Sequence, residues 1–353
     1  MTFLMTAGNA GAGYYSIIAL AKRGDEVKKM ILTSRSKEKA EAAISNLMDE
    51  TGKPRGWFEY VVLDLTDYRS CLAAAEALPS GLDRICLNAG VANAGMHPLG
   101  ITNTYMPTLG HAVLIERLLE LGKISDGARI AYVSSEFIRP LWAFTGMLPG
   151  HGRVGCWSNF CQASCWGEGN VEDVITRDVS GWGDPCCIRG HCLPVRGTLQ
   201  QYASGKLVGS LYFAQLAKEH PKMNIISTSP GGIADTKKSG FVANVGFPVK
   251  QLLGSVPSMF ECMQIAHSMD AGAERYAELL TGKEKYESGA MPMSGKRCLC
   301  CHTWGAMGPM ADNRAYNPLL RDDKLYVKAA EVTRKWMATW SENAPQQQEQ
   351  MER

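Results

Sequence analysis

The sequence has no strong excess of charge of either sign, because 37 lysines and arginines face 35 aspartates and glutamates. It contains no basic run and no RNA-binding signature, so we expect no nucleic-acid partner. It also lacks any uncharged apolar stretch of about 18 residues, and we expect no transmembrane helix. No secretory signal is visible, since a strand is predicted to begin at the second residue, while an organelle address stays open.

A glycine-rich loop separates a predicted strand from a predicted helix at the start of the chain. Residues Thr2 to Thr6 are typical of a short apolar strand, and Tyr14 to Ala21 of a helix. Between them, Gly11 allows close backbone approach to a pyrophosphate, and Gly13 allows the helix to pack near the strand. Helix N–H groups favour phosphate at this end. The pattern predicts a dinucleotide site, with an ordinary glycine-rich turn as the alternative.

The second predicted strand, Lys29 to Ser34, is followed directly by Arg35. In a dinucleotide fold this strand end faces the adenosine ribose, where an acidic residue would bind both ribose hydroxyls. The hydroxyl of Ser34 and the guanidinium of Arg35 suit a 2′-phosphate instead. We therefore expect NADP as the cofactor, the alternative being that Arg35 is simply solvated.

Polar residues also follow the next three predicted strands, which span residues 58–63, 83–87 and 128–133. Asp64 and Leu65 follow the first of these, Asn88 the second, and Ser134 and Ser135 the third. Parallel sheets bind ligands at the carboxyl ends of their strands. We therefore predict a doubly wound α/β fold of the Rossmann type, with about seven mostly parallel strands and the site at this edge.

Tyr202 and Lys206 are four residues apart in the run Tyr-Ala-Ser-Gly-Lys. On a helix this spacing places both side chains on one face. A neighbouring cation favours the phenolate, so we expect Lys206 to lower the pKa of Tyr202 toward the working pH. The pair predicts a proton donor, with a chance surface pair as the alternative for so short a pattern.

Taken in chain order, these motifs resemble the short-chain dehydrogenase/reductase family across roughly residues 2–236. The matching segments are TAGNAGAG (Thr6–Gly13), Asp64, NAG (Asn88–Gly90), Ser134-Ser135, YASGK (Tyr202–Lys206) and PGG (Pro230–Gly232). The resemblance implies that Tyr202 is the catalytic acid, that Lys206 tunes it and holds the ribose, and that Ser135 donates to the substrate oxygen, with Ser134 as second choice. The expected cofactor-binding residues are Gly8, Gly11, Gly13, Ser34, Arg35, Asp64, Leu65, Asn88, Ala89, Gly90, Tyr202, Lys206, Pro230 and Gly231.

Two segments are unusual for this family, an insertion before the tyrosine and a long carboxyl-terminal extension. We predict one NADP-binding domain over residues 1–340, with a Cys- and Trp-rich insertion over 137–197 beside the active site. Residues 237–340 are expected to form a substrate lid and helices, and 341–353 a flexible tail. In the last helix, predicted over Leu325 to Trp340, an apolar stripe should pack on the domain; it consists of Tyr326, Ala330, Thr333, Met337 and Trp340.

Twelve cysteines are many for a protein without an export signal, and we expect them to be reduced thiols in a reducing compartment. Cys71 and Cys86 fall in predicted core elements and are expected to be buried. The others are Cys156, Cys161, Cys165, Cys186, Cys187, Cys192, Cys262, Cys298, Cys300 and Cys301. Their spacing does not match that of ordinary zinc ribbons, so we predict no metal, with metal binding as the alternative.

Within the family, the insertion and the helical tail are similar to the light-dependent protochlorophyllide oxidoreductase branch. Leu109-Gly110-His111 and Arg334-Lys335-Trp336 look similar to strings of that branch, whereas Ala7 and Gly232 replace its usual glycine and cysteine. This resemblance implies a small apolar substrate of the tetrapyrrole type and a plastid location; if it does not hold, we expect the cytoplasm. A dark carbonyl or hydroxysteroid-type reductase and a non-catalytic NADP-binding redox sensor are the alternatives.

Peripheral membrane contact through the apolar residues between 241 and 263 stays open as well. Family members commonly pair through the helices that follow the fourth and fifth strands, so an oligomer is a further expectation carried by the resemblance.

Overall fold

The computed structural model describes residues 1–90, 95–135, 138, 171–176, 197–229, 231, 268–282, 286–294, 310–312, 314 and 318–351. The strands are β1 (Thr2–Met5), β2 (Lys29–Ser34), β3 (Phe58–Val62), β4 (Leu82–Leu87), β5 (Ile124–Val133), β6 (Asn224–Thr228), β7 (Pro292–Ser294) and β8 (Met310–Asp312). The helices are α1 (Gly11–Ala21), α2 (Lys37–Thr51), α3 (Tyr68–Ala77), α4 (Met106–Glu120), α5 (Asp173–Thr176), α6 (Gly197–Glu219), α7 (Met269–Thr281) and α8 (Asp323–Met351).

Strands β1 to β6 form one parallel sheet in the order β3-β2-β1-β4-β5-β6. The chain moves outward in one direction from β1 to β3 and then in the other from β4 to β6. This reversal separates the loops that follow β1 and β4 and leaves a crevice at their carboxyl ends. The predicted doubly wound α/β fold is therefore confirmed.

The edge beyond β6 differs from the seven regular strands that the sequence predicts. Residues 289–292 run beside β6, where Gly289 N donates to Ile225 O (2.7 Å) and Ser227 N donates to Ala290 O (3.1 Å). They form no regular ladder with β6 in the described part, because Pro292 has no N–H and Gly289 has a positive φ of 82°. Instead, β7 pairs with β8 in a separate antiparallel ladder.

The sheet is covered on both faces, as its alternating strand residues require. Phe3 and Met5 of β1 belong to an apolar core shared with α1, α2 and α7, whereas Leu4 belongs to the opposite core, shared with α3, α4, α6 and α8. Cys71 and Cys86 are free and buried, as expected.

Helix α8 lies across α4 and α6. Its predicted stripe is largely buried, since Tyr326, Ala330, Thr333 and Trp340 are each at most 4% exposed. The helix continues past Trp340 to Met351, so the backbone of residues 341–351 is helical. Within the described residues, no helix is both long and apolar enough to cross a bilayer.

One described fragment of the predicted insertion packs into the core. Val171 and Ile175, on either side of the start of α5, are fully buried, and the carbonyl oxygen of Ile175 accepts from Thr102 N at 2.7 Å. Glu172 pairs with Lys335 of α8 at 2.7 Å. Most of the predicted insertion over 137–197, the apolar residues between 241 and 263, and the ten remaining cysteines lie outside the described residues.

The middle of α4 must pack very closely on the chain that leaves β3. A Cβ atom built on Gly110 would lie 2.8 Å from Leu65 Cβ and would clash with the Leu65 carbonyl oxygen. In an open helix, alanine would be about 1 kcal/mol more favourable than glycine. Here we expect Gly110→Ala to destabilise the protein by about 1–3 kcal/mol, measured as a fall in the thermal unfolding midpoint. The matched control is Gly56→Ala, where nothing lies within 4 Å, and an equal fall in both variants would contradict this packing.

Candidate active site

The loop after β1 and the loop after β4 are tied together at the crevice. Thr6 Oγ1 accepts from the backbone N–H of Ala89 at 3.0 Å, and the Asn88 side-chain amide donates to the Thr6 carbonyl oxygen at 3.1 Å. Ala7 N donates to Thr33 Oγ1 of β2 at 3.1 Å. These bonds hold the glycine loop against β2 and against the Asn88–Gly90 segment.

The glycine loop packs closely on β2 and on the start of α1. A Cβ on Gly8 would lie 2.8 Å from Leu32 Cβ, and one on Gly13 would lie 2.6 Å from Ala7 O. Gly11 has a φ of 58°, and the Ala10 side chain does not cap the helix that starts there. No described side chain therefore caps the first turn of α1, and the N-terminal end of a helix favours an anion. The residues present thus fit a pyrophosphate group.

Ala7 adopts a left-handed backbone conformation with a φ of 50°, the only positive φ of a non-glycine residue in the described part of the chain. Glycine has no steric penalty in this region, whereas an alanine there costs about 1 kcal/mol. The glycine that the pigment-reductase branch usually has at this position would therefore be accommodated without strain. In this chain the loop adopts the left-handed conformation at residue 7 although an alanine occupies it.

The residues predicted to hold the adenosine half lie at the ends of β2 and β3. Ser34 is buried and Arg35 is exposed, and no ion pair involves Arg35 within the described residues. The Asp64 carboxylate accepts from Thr66 N at 2.9 Å and from Thr66 Oγ1 at 2.7 Å. Leu65 is buried. Arg35 is therefore available to a phosphate, and Asp64 is held in one orientation.

Tyr202, Lys206 and Ser135 are brought together where β5 ends against α6. Lys206 is buried, its Nζ donates to Val133 O at 2.6 Å and lies 5.8 Å from the Tyr202 ring centroid. Tyr202 and Ser135 share a side-chain hydrogen bond. A Cβ on Gly90 would lie 3.1 Å from Lys206 Nζ, so the loop after β4 also meets this cluster.

The neighbouring serine has a different role. The Ser210 hydroxyl donates to Ser134 Oγ at 2.7 Å, and Ser134 lies against the Lys206 carbonyl oxygen of α6. Ser134 is thus engaged with the helix backbone and with Ser210. Of the two candidate serines, the structure places Ser135 beside the tyrosine.

The pKa values differ from the sequence expectation. Burial raises the pKa of Tyr202 to about 12, although the hydrogen bond with Ser135 acts in the opposite direction. Burial also lowers the pKa of Lys206 to about 8. The prediction that Lys206 lowers the tyrosine pKa is therefore wrong for this state, because the ammonium bonds to Val133 O and burial dominates. At neutral pH, Tyr202 is protonated and Lys206 is largely charged.

The predicted residues after β6 are only partly described. Gly231 has a φ of 92° and its N–H donates to Ser229 Oγ at 3.3 Å. Pro230 and Gly232 lie outside the described residues.

Two buried residues of the site had no assigned role in the sequence. His111 Nε2 lies 3.0 Å from Thr6 Oγ1, and the pKa of this imidazole is held well below its ordinary value by burial and by the charge of Lys206. Tyr132 lies under Lys206, with its ring centroid 5.1 Å from Nζ. His111 belongs to the Leu109-Gly110-His111 string, which was noted in the sequence without a function for the histidine. Tyr132 is an aromatic residue in a buried strand, and no motif marks it.

The two described cysteines are poor candidates for redox chemistry. Cys71 and Cys86 are fully buried, and burial raises the pKa of both thiols, that of Cys86 to about 12. A thiol reacts through its thiolate, which these environments disfavour. Among the residues that the structure describes, no three histidine, cysteine or acidic side chains form a group that could hold a metal ion.

Comparison with known proteins identifies the family. No family model matches the chain. Dehydrogenase/reductase SDR family member 13 from Homo sapiens is 36% identical over 333 residues, covering 92% of this chain and 72% of that protein. Short chain dehydrogenase/reductase dpfgH from Gibberella zeae is 37% identical over 262 residues, covering 72% of this chain and 65% of that protein. Further curated relatives are matched over 22% to 40% of their own length, for example 35% of the bovine SDR family member 13 and 28% of drtF from Aspergillus calidoustus.

Solved structures show the same fold at low sequence identity. An uncharacterised protein from Mycobacterium paratuberculosis aligns with a TM-score of 0.57 at 19% identity, over 96% of this chain and 93% of its own. A short chain dehydrogenase from Shigella flexneri, complexed with NADP, aligns with a TM-score of 0.50 at 17% identity, over 82% and 95%. With the extent of the human relative's match, and with the ordered motifs gathered at one sheet edge, the chain belongs to the short-chain dehydrogenase/reductase family.

Proposed function

We propose that the chain is an NADPH-dependent reductase that reduces the carbonyl group of a small apolar substrate without light. The observation that carries this proposal is the cluster of Tyr202, Ser135 and Lys206 at the carboxyl edge of the sheet. A protonated phenol bonded to a serine, with a buried ammonium one helical turn away, is suited to protonate a carbonyl oxygen.

The cofactor assignment rests on the shape of the crevice and on the charge at the end of β2. Gly8, Gly11 and Gly13 would hold the pyrophosphate and Asn88–Gly90 the floor of the site. Arg35, exposed and without an ion pair in the described part, would bind a 2′-phosphate and so favour NADPH over NADH. The NADP complex of the Shigella protein supports this choice of dinucleotide by analogy of fold.

The side chains of the cluster have distinct tasks in the proposed reaction. Reduced nicotinamide dinucleotide, when bound, supplies a hydride for the carbonyl carbon. Tyr202 donates its proton to the carbonyl oxygen, and Ser135 donates a hydrogen bond to the same atom. The phenolate left on Tyr202 is then stabilised by the charge of Lys206. The raised pKa of Tyr202 suits this direction, because the proton stays on the phenol until the oxygen becomes basic.

The second candidate function is light-dependent reduction of protochlorophyllide. The relatives named above are dehydrogenases and reductases whose names refer to no pigment, and they favour the dark reading. Tyr202 and Ser135 in hydrogen-bond contact also favour a substrate with an oxygen atom to protonate. The redox-sensor reading has less support, since Cys71 and Cys86 are buried.

The proposal is tested by mixing the purified chain with NADPH and a panel of apolar aldehydes and ketones in the dark. We expect loss of NADPH absorbance with at least one carbonyl. Tyr202→Phe should keep the dinucleotide affinity, measured by calorimetry, and lose about 100-fold or more of the turnover, because the proton donor is gone. Equal turnover in the variant would contradict the acid assignment.

A second experiment distinguishes carbonyl reduction from light-dependent pigment reduction. Protochlorophyllide with NADPH is followed by absorbance in the dark and under illumination. A light-dependent spectral change, with no dark carbonyl reduction, would replace our proposal by the pigment-reductase reading.

The pH dependence of the reduction should follow Lys206. Burial lowers the pKa of this ammonium to about 8, so the charged form is present below that pH and is lost as the pH rises through it. Tyr202 keeps its proton up to about 12. We expect kcat/KM to be level near neutral pH and to fall by about tenfold per pH unit above about pH 8. Lys206→Arg keeps a charge at every pH and should remove this fall; its persistence there would point to another group.

Dinucleotide preference should depend on Arg35. In Arg35→Asp the carboxylate repels a 2′-phosphate and accepts from ribose hydroxyls, so the ratio of NADPH to NADH affinity should fall by about tenfold or more. Calorimetric titration with both dinucleotides measures the ratio. Lys28→Asp makes the same charge change at an exposed residue just before the other end of β2 and should leave the ratio unchanged. An equal shift in both variants would mean that Arg35 does not contact the phosphate.

A further inference from the structure

Lys206 has an unusual environment for a buried cation. It is 3% exposed, and within the described part of the chain no carboxylate pairs with it. Its Nζ donates to the Val133 carbonyl oxygen at 2.6 Å. Two aromatic rings also lie close to it, Tyr132 with its centroid at 5.1 Å and Tyr202 at 5.8 Å. Within the residues that the structure describes, the charge is therefore compensated by one backbone dipole and by ring faces.

The Tyr132 ring is fixed from several sides. Phe213 stacks on it with a centroid distance of 4.7 Å and an interplanar angle of 22°. The Tyr132 hydroxyl lies 2.8 Å from Thr108 Oγ1, in the first turn of α4. Gly209 leaves room for this hydroxyl, since a Cβ there would lie 2.6 Å from Tyr132 Cζ. The ring joins β5, α4 and α6 in one orientation and is fully buried.

We propose that Tyr132 is a positioning residue for Lys206, whose ring face holds the ammonium against the Val133 carbonyl, one helical turn from Tyr202. The negative face of an aromatic ring attracts a cation most strongly where water is excluded. At this site, the ring replaces part of the hydration that Lys206 loses on burial. The consequence for catalysis rests on the proposed function, because only then does the Lys206 charge stabilise a phenolate on Tyr202.

Other titratable groups near this ammonium lie on several elements. Tyr202 is on the same helix, Tyr132 on β5 and His111 on α4. Tyr276 of α7 interacts electrostatically with Tyr202. All three tyrosines are neutral at the pH where Lys206 titrates, and His111 is neutral there as well. A shift in the Lys206 titration on changing residue 132 would thus report on the ring itself.

The test follows the titration of Lys206 in the full chain, without dinucleotide or substrate. Lysines labelled with ¹³C at Cε are observed by NMR, and the Lys206 signal is identified by its loss in Lys206→Arg. In Tyr132→Phe, which keeps the ring but loses the Thr108 contact, we expect the midpoint to stay within about 0.3 pH units of the original. In Tyr132→Leu, which removes the ring, it should fall by about one pH unit.

Because Tyr132→Leu could misfold for reasons unrelated to Lys206, a second set of variants retains an aromatic ring at position 132. Phenylalanines with one, two or three ring fluorines at position 132 keep the size of the ring and successively weaken its negative face. The Lys206 midpoint should fall with each fluorine while the thermal unfolding midpoint stays close to that of Tyr132→Phe. A Lys206 midpoint that is unchanged across the fluorinated series would overturn the proposal and leave Tyr132 as a core side chain only.

This measurement is independent of the proposed reaction. If no carbonyl is reduced but the Lys206 midpoint falls along the series, the proposed function fails and the positioning role stands. If carbonyl reduction is found and the midpoint does not move, the positioning role is overturned while the reductase proposal is kept.

Discussion

Lys206 donates from its buried ammonium to the carbonyl oxygen of Val133, and this hydrogen bond ties helix α6 to the end of strand β5. Tyr202 lies on the same helix face one turn earlier, and Ser135 is two residues beyond Val133 on the chain. The relative positions of acid, serine and cation therefore depend on one contact between two elements. Because a buried charge is tolerated only where it is compensated, the surrounding backbone and rings must keep their places as well. The same contact thus positions the catalytic groups and compensates the charge of Lys206.

That constraint extends to the crevice through Thr6. The side chain of Thr6 holds the loop after β4 by its bond from Ala89 N and contacts the buried imidazole of His111. Burial and the Lys206 charge both keep His111 neutral, so the imidazole adds no second cation to the site. A neutral His111 contacting Thr6 also stiffens the floor beside which Gly90 approaches Lys206. The cofactor crevice and the catalytic cluster are therefore parts of one packed polar network.

The sequence predicts those features that depend on local patterns. The ends of β2, the place of Tyr202 and Lys206 on one helix, and the burial of Cys71 follow from strand patterning, from i to i+4 spacing and from an apolar environment. The pKa of Tyr202 could not be predicted in this way, because burial is set by residues distant in sequence and outweighs a neighbouring charge. Tyr132 was missed for the same reason, since nothing in the apolar run of β5 shows that its ring will lie under Lys206. Nor does the pattern indicate where α8 ends.

Helix α8 connects the carboxyl-terminal extension to the same cluster. Thr333 of α8 hydrogen-bonds Tyr105 at 2.8 Å, at the start of α4, and Arg334 pairs with Glu116 of α4 and Glu219 of α6. The surface over α4 and α6, through which the family resemblance implies pairing, is therefore occupied by the chain itself. Thr333 and Trp340 of α8 are buried in this contact. Helix α8 therefore supports, from within the same chain, the two helices that carry Thr108 and Lys206.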